Sequence, residues 1–299
     1  MTGRVPRASS APGLGPASAR QRRAVRAVSE RPDWLIVERR DAPLIVSIPH
    51  AGAELGAFEP RFVSPWLARK DADWRLDELY DFAGALGATI LRTRLSRSII
   101  DVNRDPSGAS LYPGKATTEL CPTTTFDGEP LYRAGEAPDE SEIAERRRLY
   151  FDPYHAALKG EIARLRSSHP RAALFDAHSI RSRIPRLFDG ELPVFNLGTN
   201  SGLSLSPHLR QAVAEVLAVS GSSWVLDGRF KGGFITRAYG RPGEGVEALQ
   251  LELACRAYLI EPERPNPDNW PAVLDPARAN TARTTLRRVL GAVLAWLRK

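Results

Sequence analysis

Five histidines occur in this 299-residue chain, and two of them stand where chemistry is commonly done. His50 follows the apolar run Ile45-Val46-Ser47-Ile48-Pro49, and His178 follows Leu174-Phe175-Asp176-Ala177. Both are expected just past the C-terminal end of a buried strand, where α/β sheets gather their sites. Their small neighbours (Ala51-Gly52, and Ala177 with Ser179) leave room for an ion or a substrate. His155, His169 and His208 lie in helical or loop contexts and read as surface residues. A catalytic divalent cation typically takes three protein ligands and keeps one position open for water. Two histidines therefore need one carboxylate. Asp73, in Asp71-Ala72-Asp73-Trp74, and Glu54, four residues after His50, are the candidates. A carboxylate at a helix start reads equally well as an N-cap, so the residues alone leave both open.

Two further segments are chemically dense. In Ser96-Arg97-Ser98-Ile99-Ile100-Asp101-Val102-Asn103-Arg104-Asp105, Asn103 and Arg104 directly follow an expected strand. The planar fork of an arginine pairs bidentately with a carboxylate, so Arg104 suits an acidic substrate. Asp101 either orients a neighbour or accepts a structural hydrogen bond. In Val246-Glu247-Ala248-Leu249-Gln250-Leu251-Glu252-Leu253, Gln250 and Glu252 interrupt an apolar strand and share one face, because strand side chains alternate. A charge within a buried strand costs several kcal/mol unless it is paired or faces a polar centre.

The elements that position these residues alternate. Residues 43–49, 88–92, 98–102, 172–175, 194–197 and 248–253 read as short strands. Helical spacing appears over 72–86, 140–167 and 208–219, and over a closing amphipathic helix from Asn280, its expected N-cap, to Lys299. The Gly-, Pro- and Thr-rich stretch 106–131 has no period and reads as a long functional loop. Strands alternating with helices predict an α/β layered fold, helix-sheet-helix, with a mixed, mostly parallel sheet.

Composition is that of a globular protein, 42% hydrophobic and 26% charged, with no apolar run long enough to span a membrane. Cys121 and Cys255 form no disulfide framework, which suits a reducing cytoplasm. The net charge of +7 belongs mainly to a leader. Arg4, Arg7, Arg20, Arg22, Arg23 and Arg26 precede any acidic residue, and without them the chain is near +1. Residues 1–30, rich in Arg, Ala, Ser and Pro, are expected to be a disordered leader. Their composition is that of a transit peptide or of an extended start. Residues 31–299 would form the folded domain. A basic leader is a poor nucleic-acid face, so neither nucleic acid nor membrane is expected as a partner.

Six segments, in this order, resemble the N-formylglutamate amidohydrolase (deformylase) family. They are Ser47-Ile48-Pro49-His50-Ala51-Gly52; Asp73-Trp74 before Leu79-Tyr80; Ser98-Ile99-Ile100-Asp101-Val102-Asn103-Arg104-Asp105; Asp176-Ala177-His178-Ser179; Gly232-Gly233-Phe234-Ile235-Thr236-Arg237 with Tyr239-Gly240; and Gln250-Leu251-Glu252-Leu253. The resemblance covers roughly residues 40 to 295. It implies a fold like that of zinc carboxypeptidases and aspartoacylases. It also implies a divalent metal, Zn2+ or another such as Co2+, held by His50 and His178, with Asp73 favoured over Glu54 as the third ligand. Glu252 matches the general base of that mechanism. Asn103 and Arg104 match the pair that holds the substrate carboxylate, joined by Tyr239, and Arg237 would help stabilise the oxyanion. Ala51 and Ala177 depart from the family's usual Ser and Cys without changing charge, whereas the cluster Arg181, Arg183 and Arg186 leaves the substrate's identity open.

The expectation is metal-dependent hydrolysis of a small acidic N-acyl amino acid, N-formylglutamate above all, with histidine breakdown as the suggested pathway. The alternatives are another N-acyl amino acid or a peptide on the same site, or a non-catalytic relative acting as a binding protein.

Overall fold

β-branched and leucine residues at successive positions build a sheet that is buried on both faces. The computed structural model describes residues 1–3, 32–110 and 113–299, and Trp34–Lys299 form one folded unit. The expected leader, residues 1–30, lies outside the described residues apart from the first three. Seven strands make one sheet: β1 (Leu35–Glu38), β2 (Leu44–Ile48), β3 (Thr89–Thr93), β4 (Ala172–Ile180), β5 (Phe195–Gly198), β6 (Trp224–Leu226) and β7 (Val246–Ala254). Their order is β1-β3-β2-β4-β7-β5-β6. β3, β2, β4 and β7 run parallel, and β1 and β5 join them antiparallel. The mixed, mostly parallel α/β sheet is as the alternating pattern predicts.

Helices cover both faces. They are α1 (Pro65–Lys70), α2 (Leu76–Leu79), α3 (Glu140–Arg146), α4 (Asp152–Ser168), α5 (Pro207–Ala218), α6 (Phe234–Tyr239) and α7 (Pro276–Leu297). α5 and α7 present Leu209, Val213 and Leu217, and Leu286, Val289, Leu290 and Val293, at helical spacing to one core. α4 packs Tyr154, Leu158 and Leu165 on the other face.

The site begins where one of these faces changes character. On β4, Ala173, Phe175 and Ala177 point into the α5–α7 core, as Leu249, Leu251 and Leu253 do on β7. The opposite face starts apolar, with Ala172, Leu174 and Ala248 against α4. Toward the C-terminal ends that same face carries Asp176 and His178 on β4 and Gln250 and Glu252 on β7. Period two thus divides each strand between packing and chemistry.

Several elements differ from the pattern reading. Ser98–Val102 is no strand: Ser96 Oγ accepts from the Ser98 amide and Asp101 Oδ1 from the Asn103 amide, so local side chains take the hydrogen bonds a ladder would need. Residues 72–86 make only the short α2 followed by a 3-10 turn over Asp81–Leu86, after Arg75 adopts a left-handed backbone (φ 56°). A π-helical turn, Arg147–Phe151, separates α3 from α4 within 140–167. β4 extends to Ile180, so His178 sits inside a strand and not past its end. The N-cap of α7 is Asp275, which accepts from the Ala277 and Arg278 amides at 2.9 and 3.1 Å; Asn280 lies within the helix. His155 is buried, not at the surface, donating or accepting at both ring nitrogens, to Val102 O and Tyr239 Oη at 2.8 Å each. Among the described residues no helix is long and apolar enough to cross a membrane. Cys121 and Cys255 are buried free thiols.

Candidate metal centre and active site

His50 leaves the C-terminal end of β2, and the chain returns to it at once: the Asp73 amide donates to His50 O at 2.9 Å. Gly52 makes this return possible, because a side chain there would collide with the Arg94 carbonyl group. Asp73 Oδ2 then accepts from the Ser179 amide at 3.2 Å, which ties the turn to β4 beside His178. The three side chains are fully buried and their nearest ligand atoms lie within 4.8 Å of one another. Glu54, the other carboxylate considered, is exposed and outside this group.

The two histidines are held in the same manner. His50 Nε2 lies 2.7 Å from Asp101 Oδ1, and His178 Nε2 lies 3.0 Å from Asp176 Oδ2. Each carboxylate holds its ring by Nε2, so that both Nδ1 atoms turn toward Asp73. His178 Nδ1 is 3.2 Å and His50 Nδ1 is 3.9 Å from Asp73 Oδ2. His50 Nδ1 and Asp73 Oδ1 are buried with no hydrogen-bond partner. Leaving such atoms unsatisfied costs roughly 1–3 kcal/mol each, and a cation between them removes the cost. Two imidazole nitrogens and one carboxylate oxygen form a donor set that suits zinc and its neighbours.

Charges around the centre are partitioned by burial and pairing. Burial raises the Asp101 carboxyl, but His50, Arg97 and Arg104 outweigh it and hold its pKa well below the ordinary range. Burial, aided by the Arg97 charge, lowers the His50 pKa against the pull of Asp101. At His178 burial also disfavours the charged form, yet Asp176 and Asp73 outweigh it and hold the pKa well above the ordinary value. Glu252 pairs with His178 across the β4–β7 ladder. Desolvation pushes its carboxyl up to about 7, partly offset by His178.

A cleft opens over these groups, and His50, His178, Glu252, Asn103 and Arg104 all line it. The Asn103 amide is engaged: Nδ2 donates to Asp176 Oδ2 at 3.0 Å, and Oδ1 accepts from the Ile235 amide at 2.8 Å. Arg104 donates to Thr118 O and Oγ1 at 3.0 Å each and keeps its guanidinium half-buried at the cleft. Among the described residues neither Arg237 nor Tyr239 lines the cleft: Arg237 donates to Gly232 O, and Tyr239 closes on His155 within the α4 face. Of the arginines after His178, Arg181 is buried against Asp71 and Asp127, Arg183 pairs with Glu191, and Arg186 is exposed.

The structure adds residues that the sequence reading left without a role. Arg97 lines the cleft, donates to Asp101 Oδ2 at 2.6 Å and covers the Phe126 ring. Its spacing of four from Asp101 was the available signal. Asp176 supports His178 from two residues away on the same strand face, a relation that period two foretells. Gln250 Nε2 donates to Glu252 Oε2 at 3.0 Å while its Oε1 accepts from the Gly233 amide at 2.7 Å, which fixes the glutamate. Arg229 lines the cleft from three residues before the Gly232–Arg237 segment, outside the residues singled out in the sequence.

The fold and the site define an α/β protein with a three-residue donor set for a metal ion and a buried glutamate facing a polar cleft. The chain belongs to the N-formylglutamate amidohydrolase family, whose model matches residues 42–259. It is 44% identical over 267 residues to the N-formylglutamate deformylase of Pseudomonas aeruginosa, covering 89% of this chain and 97% of the relative. It is 44% identical over 256 residues to that of Pseudomonas putida, covering 85% and 93%. The crystal structure of N-formylglutamate amidohydrolase from Ralstonia eutropha JMP134 shares the fold at a TM-score of 0.72 and 22% identity, covering 88% of this chain and 98% of that one.

Proposed function

We propose that this protein hydrolyses N-formylglutamate to formate and glutamate, with a divalent cation, zinc or a substitute such as cobalt, held by His50, Asp73 and His178. The observation that carries the reading is the convergence of His50 Nδ1, Asp73 Oδ2 and His178 Nδ1 in one buried group, with His50 Nδ1 left without a hydrogen-bond partner, beside a desolvated glutamate. The 44% identity to two deformylases supports the substrate. A cation in that position supplies Lewis acidity, which acidifies a water and polarises a carbonyl.

The chain's own groups do the rest. Glu252 takes a proton from the attacking water, whose oxygen bonds the formyl carbon. The carbon–nitrogen bond then breaks as Glu252 passes that proton to the departing amine. Arg97 supplies positive charge near the oxyanion, the role the sequence suggested for Arg237. Arg104 holds the substrate α-carboxylate, and the Thr118 contacts fix its fork in advance. Asn103 steadies His178 directly, its Nδ2 lying 2.8 Å from the ring Nε2, and through Asp176. The reading places the protein in the cytoplasm.

The test is hydrolysis of a panel of N-acyl amino acids by protein reconstituted with zinc or cobalt. N-formylglutamate is expected to be turned over best. Rapid turnover of a peptide or another N-acyl amino acid, with none of N-formylglutamate, would sink the substrate assignment.

A further inference from the structure

Two guanidinium groups line the cleft and grip the same short piece of chain. Arg104, in the loop after β3, donates to Thr118 O and Oγ1. Arg229, in the loop after β6, donates from Nη2 to Ala116 O at 3.0 Å and from Nε to Leu187 O at 2.8 Å. The anchoring residues are two positions apart, so at most about 7 Å of chain separates them. Both arginines line the cleft with His50, His178 and Glu252, and Thr117, between their anchors, lines it too. The Arg229 guanidinium also lies over the Phe230 ring, 5.2 Å from its centroid. Ile180, Leu187 and Phe230 add an apolar wall beside it.

Such a wall next to two braced cations suits a short chain of methylenes ending in a carboxylate. We infer that Arg229 is the specificity-determining residue for the side-chain carboxylate of the substrate, while Arg104 takes the α-carboxylate. The inference rests on the reading that the substrate is an N-acyl acidic amino acid. Arg97 is excluded from this role because its fork is turned onto Asp101 and Asp73. Arg181 is excluded because it is buried against Asp71 and Asp127. Arg229 acts by binding and not at the reacting bond, so its loss changes which substrate is preferred more than it slows the chemistry.

The experiment compares N-formyl-L-glutamate with its neutral isostere N-formyl-L-glutamine as substrates, and L-glutamate with L-glutamine as ligands by calorimetry. Wild type, Arg229→Gln and Arg229→Lys are used as metal-loaded full chains. A hydrogen bond to a charged group is worth about 1.5–3 kcal/mol, roughly a 10- to 100-fold loss in kcat/KM. Arg229→Gln is expected to lose this on the glutamate substrate, mostly in KM, with little change on the glutamine one. Arg229→Lys should recover part of the preference, which also shows that the site is still folded. Equal losses on both substrates would mean that Arg229 only tethers residue 116 to residue 187, and the inference falls. A wild type without preference for the acidic member of either pair overturns it as well. If wild type hydrolyses neither substrate but binds glutamate over glutamine in an Arg229-dependent way, the inference stands and the substrate assignment fails.

Discussion

Turnover should depend most steeply on Glu252. Replacing it with Gln keeps its shape and its bond from Gln250 but removes the proton acceptor, so kcat is expected to fall roughly 10²- to 10⁴-fold with metal content unchanged. Near-normal hydrolysis by a fully metallated Glu252→Gln would discard the base assignment. The pH profile follows from its environment. A base must be ionised, so kcat/KM falls as pH drops through its pKa of about 7. A cation beside it favours the carboxylate and moves that acid limb lower. Asp176 gives a second outcome at this scale. Asp176→Asn removes the charge behind His178, and metal affinity should weaken about 10- to 100-fold in competition with a chelating dye. Unchanged affinity would mean that Asp176 serves only Ser47 and Asn103, its other partners. The residues legible before folding were those marked by their own setting: His50 between an apolar run and Gly52, and a glutamate inside an apolar strand. Arg229 was not legible, since its role depends on Ala116 and Leu187, each at least 40 residues away.

At the scale of elements, alternating runs of apolar residues revealed most of the sheet, because a strand buried on both faces can be little else. Ser98–Val102 misled for a physical reason: Ile99, Ile100 and Val102 favour strands, but Ser96 and Asp101 capture the amides first. Strands β1 and β6 and helices α1 and α6 were missed because each is short and stabilised by its neighbours more than by its own sequence. His155 shows how an element acquires pH sensitivity. It fastens α4 to Val102 and Tyr239, and burial lowers its pKa from 6.5 to about 4. Above pH 6.5 neither folded nor unfolded imidazole is charged, so this group leaves stability unaffected. As pH falls from there toward 4 the unfolded chain takes up a proton that the fold refuses, and stability drops by about 3 kcal/mol. Urea unfolding at pH 7 and pH 4.5 should show the drop, and His155→Gln should lessen it. An identical slope in the variant would assign the acid sensitivity elsewhere.

For the whole molecule, the proposed cation would bind three stretches of chain far apart in sequence: the end of β2, the turn between α1 and α2, and β4. A ligand bound only by the folded state stabilises it by about 2.7 kcal/mol at a hundredfold excess over Kd. Removing the metal with a chelator should therefore lower Tm by several degrees, and zinc should restore it. A Tm indifferent to both would count against a metal seated there.

The pairing of His178 with Glu252 on neighbouring strands has a consequence for motion. Their separation is set by main-chain ladder bonds at the centre of the sheet, so neither can drift without parting β4 from β7. The proposed chemistry would thus be carried by what should be the slowest-opening part of the protein. Amide hydrogens of His178 and Glu252 should exchange with solvent only through global unfolding, while those of the 116–118 segment exchange far sooner. A substrate in the cleft would then rest on an immobile floor, and any movement that accompanies its binding belongs to the loops and not to the sheet.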